Sequence, residues 1–131
     1  MEADDVPGKK SPVLTDAELR LMDVVWAKGA ATVSDVVDAL PKDAPLHYST
    51  VLTILRILEN KGYLTHIKDG RAFIYSPKVK RAEACANAVD HLLKRFFDGS
   101  PALLMLKLME DRKIDPKELK RLRQSIAEEE L

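Results

Sequence analysis

The chain is poor in several residue types, and each shortage excludes a class of protein. Its 131 residues include one cysteine, Cys85, which excludes an intramolecular disulfide framework and suits the reducing cytoplasm. No apolar run approaches the roughly 20 residues that cross a bilayer, and the acidic first residues lack the apolar core of a secretory signal. We therefore expect a cytoplasmic protein with no membrane insertion.

Groups for catalysis and metal binding are also scarce. The histidines His47, His66 and His91 have no acidic or cysteine partner at a usable spacing. No phosphate-binding glycine loop and no zinc-ligand spacing occurs, and Cys85 lies on an apolar stripe that favours packing as a small hydrophobe. We expect no catalytic residue, no metal and no cofactor, so the chain is not predicted to be an enzyme.

Excess positive charge is absent as well. The chain holds 21 basic and 21 acidic residues, and residues 15–76 hold seven Lys/Arg against eight Asp/Glu. DNA-binding proteins often have a basic balance, so the net charge argues mildly against a nucleic-acid partner. Only a local grouping of basic side chains can outweigh this argument.

Capping residues and apolar spacing predict the order of the first elements. Thr15 and Glu18 form a capping box before a first helix, and Thr32 caps a short second helix that Pro41 and Pro45 bring to an end. The side chains expected to face inward from the first helix are Leu19, Met22, Val25 and Trp26.

A longer helix, predicted within residues 47–64, has two distinct faces. Its apolar face consists of Val51, Ile54, Leu55 and Leu58. Its polar face consists of Ser49, Thr53, Arg56 and Asn60. Leu52 falls outside the apolar stripe, where it either meets a thymine methyl group or is an isolated exposed leucine, and both interpretations stay open.

A β-hairpin follows, because two β-prone segments flank Asp69 and Gly70, a pair that favours a tight turn with positive φ at both central residues. This turn would place Lys68 opposite Arg71. A helix, a short helix, a long helix and a hairpin in this order predict a winged helix, whose third helix enters the major groove of DNA.

The third helix and the wing carry groups that suit DNA. Hydroxyl and amide groups can bond base edges or phosphates, and an arginine can make bidentate contact with guanine. The two basic residues at the wing tip can grip a phosphate or the minor groove, although a solvated turn is the alternative. The residues predicted on these grounds to contact DNA are Ser49, Leu52, Thr53, Arg56, Asn60, Lys68 and Arg71.

The last third of the chain has apolar stripes but too few residues for a core of its own. Self-association in a two-fold dimer would bury these stripes, place two reading helices about 34 Å apart and require an inverted repeat in the DNA. The side chains predicted to form the dimer interface are Val89, Leu92, Leu93, Phe96, Leu104, Leu108, Leu119 and Leu122.

The run LTDAELRLMDVVWAKGAATVSDVV, followed by HYSTVLTILRILENKGYLTHIKDGRAFIYSP, resembles the penicillinase-repressor family. The resemblance covers Leu14 to about Gln124 and implies a dimeric winged-helix repressor that sits on an inverted-repeat operator and blocks a promoter. Thr50, Thr53 and Arg56 match family positions associated with DNA contact, which adds Thr50 to the predicted interface.

The resemblance also bears on induction. The antibiotic-responsive members depend on a membrane sensor and a protease pathway that leads to cleavage of an Asn-Phe bond, whereas Lys107-Leu108 stands at the matching position here. The copper-responsive members carry C-terminal cysteine motifs, and this chain ends in SIAEEEL. A regulatory protease or sensor pathway is a candidate partner, but cleavage in the family's form and copper sensing are not expected.

Together these observations predict a mainly α fold with a small β-hairpin: a winged helix-turn-helix domain followed by an α-helical dimerisation domain. The predicted divisions are a disordered tail at residues 1–14, a DNA-binding domain at 15–76 and a dimerisation domain at 77–131. The predicted function is homodimeric repression at a double-stranded DNA operator, released by an inducing signal. The alternative is a winged-helix protein-interaction module, which would show no salt-dependent DNA binding.

Overall fold

The computed structural model describes residues 13–111 and 113–130. Most of the tail predicted at residues 1–14 therefore lies outside the described residues. Contacts divide the chain into a first unit, Met1–Val89, and a second unit, Asp90–Leu131. The functional boundary after residue 76 stays a prediction.

Within the described part of the chain there are six helices and three strands. The helices are α1 (Asp16–Lys28), α2 (Val33–Ala39), α3 (Tyr48–Asn60), α4 (Arg81–Phe96), α5 (Pro101–Glu110) and α6 (Pro116–Glu130). The strands are β1 (Ala31–Thr32), β2 (Leu64–Asp69) and β3 (Ala72–Pro77), which form an antiparallel sheet in the order β1-β3-β2. The predicted winged-helix order is confirmed.

Reciprocal caps begin α1 and α2, as predicted. Thr15 Oγ1 accepts a hydrogen bond from the Glu18 N–H at 3.2 Å, and Glu18 Oε1 accepts one from the Thr15 N–H at 2.8 Å. Thr32 and Asp35 repeat this arrangement at 3.1 and 3.0 Å. Thr32 also pairs with Ile74 of β3, so its cap ties the start of α2 to the sheet. The two-residue strand β1 was not predicted.

Of the predicted inward stripe of α1, Met22 and Val25 lie in the core and Trp26 packs against it, but Leu21 is buried in place of Leu19. Leu19 is 38% exposed, whereas Leu21 is fully buried together with Met22 and Val25. These three residues continue the helical spacing that starts at Glu18, and Leu19 is turned about 100° away from that stripe. The core side chains that α3 contributes are Val51, Leu55 and Leu58.

The hairpin forms as predicted, but its register differs by two residues. The central residues of the turn are Gly70 and Arg71, and Lys68 lies opposite Phe73 rather than opposite Arg71. Gly70 has φ 64°, and Arg71 has no positive φ, so the turn needs one left-handed residue instead of two. A shift of two residues preserves the alternation of faces, so Lys68 keeps the face expected for it.

The second unit buries little apolar surface of its own. Among its described residues, Leu93 is the one buried apolar side chain, at 7% exposed. The large side chains that stay exposed on its helices are Leu92, Phe96, Leu103, Leu106, Met109, Leu122 and Ile126. No helix formed by the described residues combines the length and apolar character needed to cross a membrane.

Candidate nucleic-acid interface

The polar face of α3 is presented to solvent because the opposite face is held in the core. Val51, Leu55 and Leu58 are 0% exposed, which fixes the rotation of the helix about its axis. We call the exposed polar residues of this helix the reading face: Ser49, Thr50, Thr53, Arg56 and Asn60.

One hydroxyl of the reading face is engaged within the helix. Thr53 Oγ1 donates a hydrogen bond of 3.0 Å to the carbonyl oxygen of Ser49, one turn earlier. Because its hydrogen is used there, Thr53 can offer DNA only its oxygen lone pairs and its methyl group. It can therefore accept from the amino group of adenine or cytosine, or contact a thymine methyl.

Three exposed cations, one on the reading face and two in the hairpin, have no ion-pair partner among the described residues. Arg56 extends from α3, Lys68 lies near the end of β2, and Arg71 lies in the turn, and all three are exposed. An unpaired guanidinium or ammonium group keeps its full charge for a phosphate or a guanine edge. The predicted basic grouping is thus available for nucleic acid, although its role in DNA contact stays a prediction.

The one acidic residue of α3 is paired with the wing. His66 Nδ1 lies 2.8 and 2.7 Å from the two carboxylate oxygens of Glu59, and the imidazole packs edge-on against Phe73 with ring centroids 5.0 Å apart. The contact joins the wing to the C-terminal half of α3. It was missed from the sequence because the two residues meet only after the hairpin folds back on the helix.

The structure contradicts one of the two interpretations of Leu52 and leaves its contact with a thymine methyl as a prediction. Leu52 is partly buried and packs against the core of the first unit, so it is not an isolated exposed leucine. Its presence needs no contact with DNA to explain it, because part of its apolar surface is already covered.

Tyr48 was missed by the sequence analysis. It is the first residue of α3, it is 54% exposed, and His47 before it makes no side-chain capping hydrogen bond. The uncapped N–H groups of a first helical turn favour an anion, and an exposed phenol on the same turn is a further hydrogen-bond donor. The signal that could have identified Tyr48 is an aromatic hydroxyl placed directly before the polar face.

A buried ion pair joins the end of α3 to the start of α1. Lys61 Nζ lies 2.6 Å from Glu18 Oε1, and the two side chains are 6% and 7% exposed. Lys61 also donates to the carbonyl oxygen of Val13 at 3.2 Å. Burial by itself raises the pKa of Glu18, but hydrogen bonds from Lys61 and Thr15 and the charge of Lys61 outweigh burial and leave that pKa below its usual value.

The lowered pKa of Glu18 predicts a dependence of stability on pH. A carboxyl group with a lower pKa in the folded state adds stability above its unfolded pKa, and this contribution is lost as the pH falls through the folded pKa. We expect the urea midpoint of the unmodified protein to fall below about pH 4.5, the ordinary value for this group. Glu18→Gln should show a shallower fall between pH 5 and 3, and equal slopes would contradict the assignment.

The residues predicted to form the dimer interface differ in exposure. Val89, Leu92, Phe96 and Leu122 are exposed, Leu93 is buried, and the half-buried members are Leu104, Leu108 and Leu119. Four large apolar side chains of the second unit that were not predicted to form the interface are also exposed: Leu103, Leu106, Met109 and Ile126.

The prediction that Cys85 packs as a small hydrophobe is wrong. Cys85 is exposed, because α4 turns Ala84 into the core and the adjacent stripe faces outward. No group of three or more His, Cys, Asp or Glu residues in the described ranges is arranged to hold a metal ion.

Comparison with known proteins places this geometry in a family. The penicillinase repressor family model matches residues 14–128. The penicillinase repressor of Bacillus licheniformis is 31% identical over 120 residues, which cover 92% of this chain and 94% of that protein. The transcriptional regulator BlaI of Mycobacterium tuberculosis is 34% identical over 117 residues, which cover 88% and 83% of the two chains.

A solved structure agrees with these relatives. The DNA-binding domain of the repressor BlaI matches with a TM-score of 0.50 and 36% identity, over 57% of this chain and 92% of that domain. The resemblance predicted from the residues is confirmed: the chain belongs to the penicillinase repressor family, a family of DNA-binding transcriptional repressors.

Proposed function

We propose that this chain represses transcription as a homodimer that holds an inverted-repeat operator with the reading face of α3 and the wing. The observation that carries the proposal is the exposed row of hydroxyl, amide and guanidinium groups on α3, with two unpaired cations in the adjacent hairpin. A repressor acts by occupying DNA and not by catalysis, and the proposed location is the cytoplasm, where the operator lies.

The neutral net charge is compatible with this proposal because the placement of charge matters more than its sum. Arg56, Lys68 and Arg71 have no ion-pair partner among the described residues, whereas the carboxylate of Glu59 is hydrogen-bonded to the His66 imidazole. The acidic groups of α1 and α2 belong to other elements, and two of them are engaged in helix caps. In α3 and the hairpin together, the three basic residues Arg56, Lys68 and Arg71 outnumber the two acidic residues, Glu59 and Asp69, so the local balance is positive.

The exposed apolar side chains of the second unit support the homodimer. A unit whose described residues include one buried apolar side chain lacks the internal core that a small domain needs. A second copy supplies the missing partner surface by symmetry, and two-fold pairing would present two reading faces to two half-sites. Burial of a large apolar side chain stabilises by about 1.5–3 kcal/mol, so several such residues suffice for a stable dimer.

Release of the operator belongs to the same proposal, with a regulatory protease or sensor pathway as the partner. The Lys107-Leu108 bond lies inside α5, where the backbone is hydrogen-bonded as a helix. A protease needs an extended substrate, so cleavage there would require local opening of α5. The expectation that this bond is not cleaved in the family's manner stays a prediction.

The proposal is tested by selecting bound fragments from a random pool of duplex DNA at two salt concentrations. The expected product is an inverted repeat whose half-sites are about one helical turn apart, bound with an affinity that falls steeply as salt rises. An interaction module would recover no motif and would show no salt-dependent binding, and that outcome would refute the repressor. Recovery of a single, unrepeated half-site would refute the dimeric arrangement.

A further inference from the structure

The segment that joins β3 to α4, together with the first residue of α4, is held against α1 by an indole and an ion pair. Trp26 Nε1 donates a hydrogen bond of 2.9 Å to the carbonyl oxygen of Val79. The guanidinium carbon of Arg81 lies 6.0 Å from the centroid of the same ring, and Arg81 Nε donates to Asp23 Oδ1 at 3.2 Å. We call these four residues the junction.

Neighbouring contacts also restrict the movement of the junction. The N–H of Lys78 donates to the carbonyl oxygen of Tyr63 at 2.8 Å, and Ala84 is 7% exposed within the core cluster. Only Lys78, Val79 and Lys80 separate the end of β3 from the start of α4. A segment this short and this heavily bonded cannot act as a flexible linker.

Core packing alone does not explain the residue types found in the junction. A phenylalanine would supply an apolar ring at position 26, but only tryptophan adds an N–H that can reach the Val79 carbonyl. Arg81 and Asp23 are exposed, with side chains 66% and 48% accessible, so their ion pair alone adds little stability. None of these residues belongs to the reading face or to the wing tip, so DNA contact does not explain them.

We propose that the junction, with Trp26 as its centre, determines which spacing between two operator half-sites the dimer accepts. This inference rests on the proposed function. The helix α4 is continuous from Arg81 to Phe96, with its first turns in the first unit and its last turns in the second. Fastening its first turn to α1 therefore fixes how the N-terminal turns of α4 lie against the other helices of the first unit. Trp26 and Arg81 are positioning residues.

A fixed orientation of α4 would have a consequence for the spacing of the half-sites. Each base pair inserted between half-sites turns one of them by about 35° around the duplex and moves it by about 3.4 Å. Two winged-helix units in which α4 has one fixed orientation match one spacing between half-sites. At other spacings the two units cannot bind their half-sites at the same time. Winged-helix units with a loosened junction can change their orientation, so the dimer tolerates an altered spacing between half-sites. Each unit still binds its own half-site.

The test measures the affinity of the full chain for the selected operator, for the same operator with one or two base pairs inserted at its centre, and for one half-site. The variants are Trp26→Phe, Arg81→Ala and their combination. Lys80→Ala is the matched control, because it removes the adjacent positive charge from a side chain with no described partner. Arg81→Ala keeps the test valid even where Trp26→Phe lowers stability, because it alters an exposed side chain.

The unmodified protein and Lys80→Ala are expected to lose about tenfold or more in affinity with each insertion, since simultaneous engagement is lost. The combined variant should lose less than about threefold, with half-site affinity within about twofold of normal, because the reading face is intact. An identical spacing profile in the combined variant would overturn the role of the junction. No preference of the unmodified protein for the repeat over the half-site would refute the proposed function itself.

Discussion

Lys61→Met is expected to destabilise the protein by about 3–5 kcal/mol, because it leaves the Glu18 carboxylate buried without its cation. The pair is 2.6 Å long, and both side chains are almost inaccessible to water. Lys61 follows the last residue of α3, so the same variant is expected to loosen the end of the reading helix and weaken DNA binding. The measurement is urea unfolding at a fixed chain concentration near pH 7.

A double variant distinguishes the free-energy cost of an unpaired carboxylate at Glu18 from the cost of losing the Lys61 side chain itself. Glu18→Gln combined with Lys61→Met leaves no buried charge, and glutamine can preserve the capping box with Thr15. It should recover most of the stability, leaving a deficit of about 1–2 kcal/mol. Lys28→Met, at an exposed lysine of α1, should stay within about 0.5 kcal/mol of the unmodified protein. A loss below about 1 kcal/mol in Lys61→Met would show that the pair is not buried in solution.

Phe96→Asp is expected to convert the proposed dimer to a monomer and to lower operator affinity by about 10²–10⁴-fold, because two linked half-sites become two separate binding events. Phe96 is 69% exposed in the single chain, so aspartate there disturbs little except an interface. Light scattering would give the chain mass of 14.7 kDa instead of twice that value. Half-site affinity should be unchanged, because the reading face belongs to the first unit.

Leu122→Asp tests the same interface from a second helix, since its side chain is 47% exposed. Ala27→Asp is the matched control, because it adds the same charge at an exposed position of α1. This control should stay dimeric and bind the operator normally. Dimers of undiminished stability in both Phe96→Asp and Leu122→Asp would contradict the proposed interface.

Local signals account for the part of the fold that was predictable. The caps at Thr15 and Thr32 depend on residues three positions apart, and both are present in the structure. The two faces of α3 follow from helical spacing, which correctly assigned Val51, Leu55 and Leu58 to the core. Their burial is what presents the predicted polar residues to solvent.

Features that depend on distant residues were not predictable from spacing. Glu18 meets Lys61 across 43 positions, and Trp26 meets Val79 across 53, so no local pattern marks either contact. The hairpin register failed for a different reason: Asp-Gly suggested two positive φ angles, whereas the turn centres on Gly70 and Arg71 and uses one. The exposure of Cys85 likewise depends on which side of α4 meets the core.

The central claim is that the reading face of α3 recognises bases, and the specificity ratio of Arg56→Ala tests it most directly. Affinity is measured for the selected operator and for random duplex DNA, with Lys68→Ala as the comparison. Arg56→Ala should lose about 1–3 kcal/mol on the operator and much less on random DNA, whereas Lys68→Ala should weaken both alike and reduce the salt slope by about one. Equal losses on both DNAs in Arg56→Ala would contradict the claim.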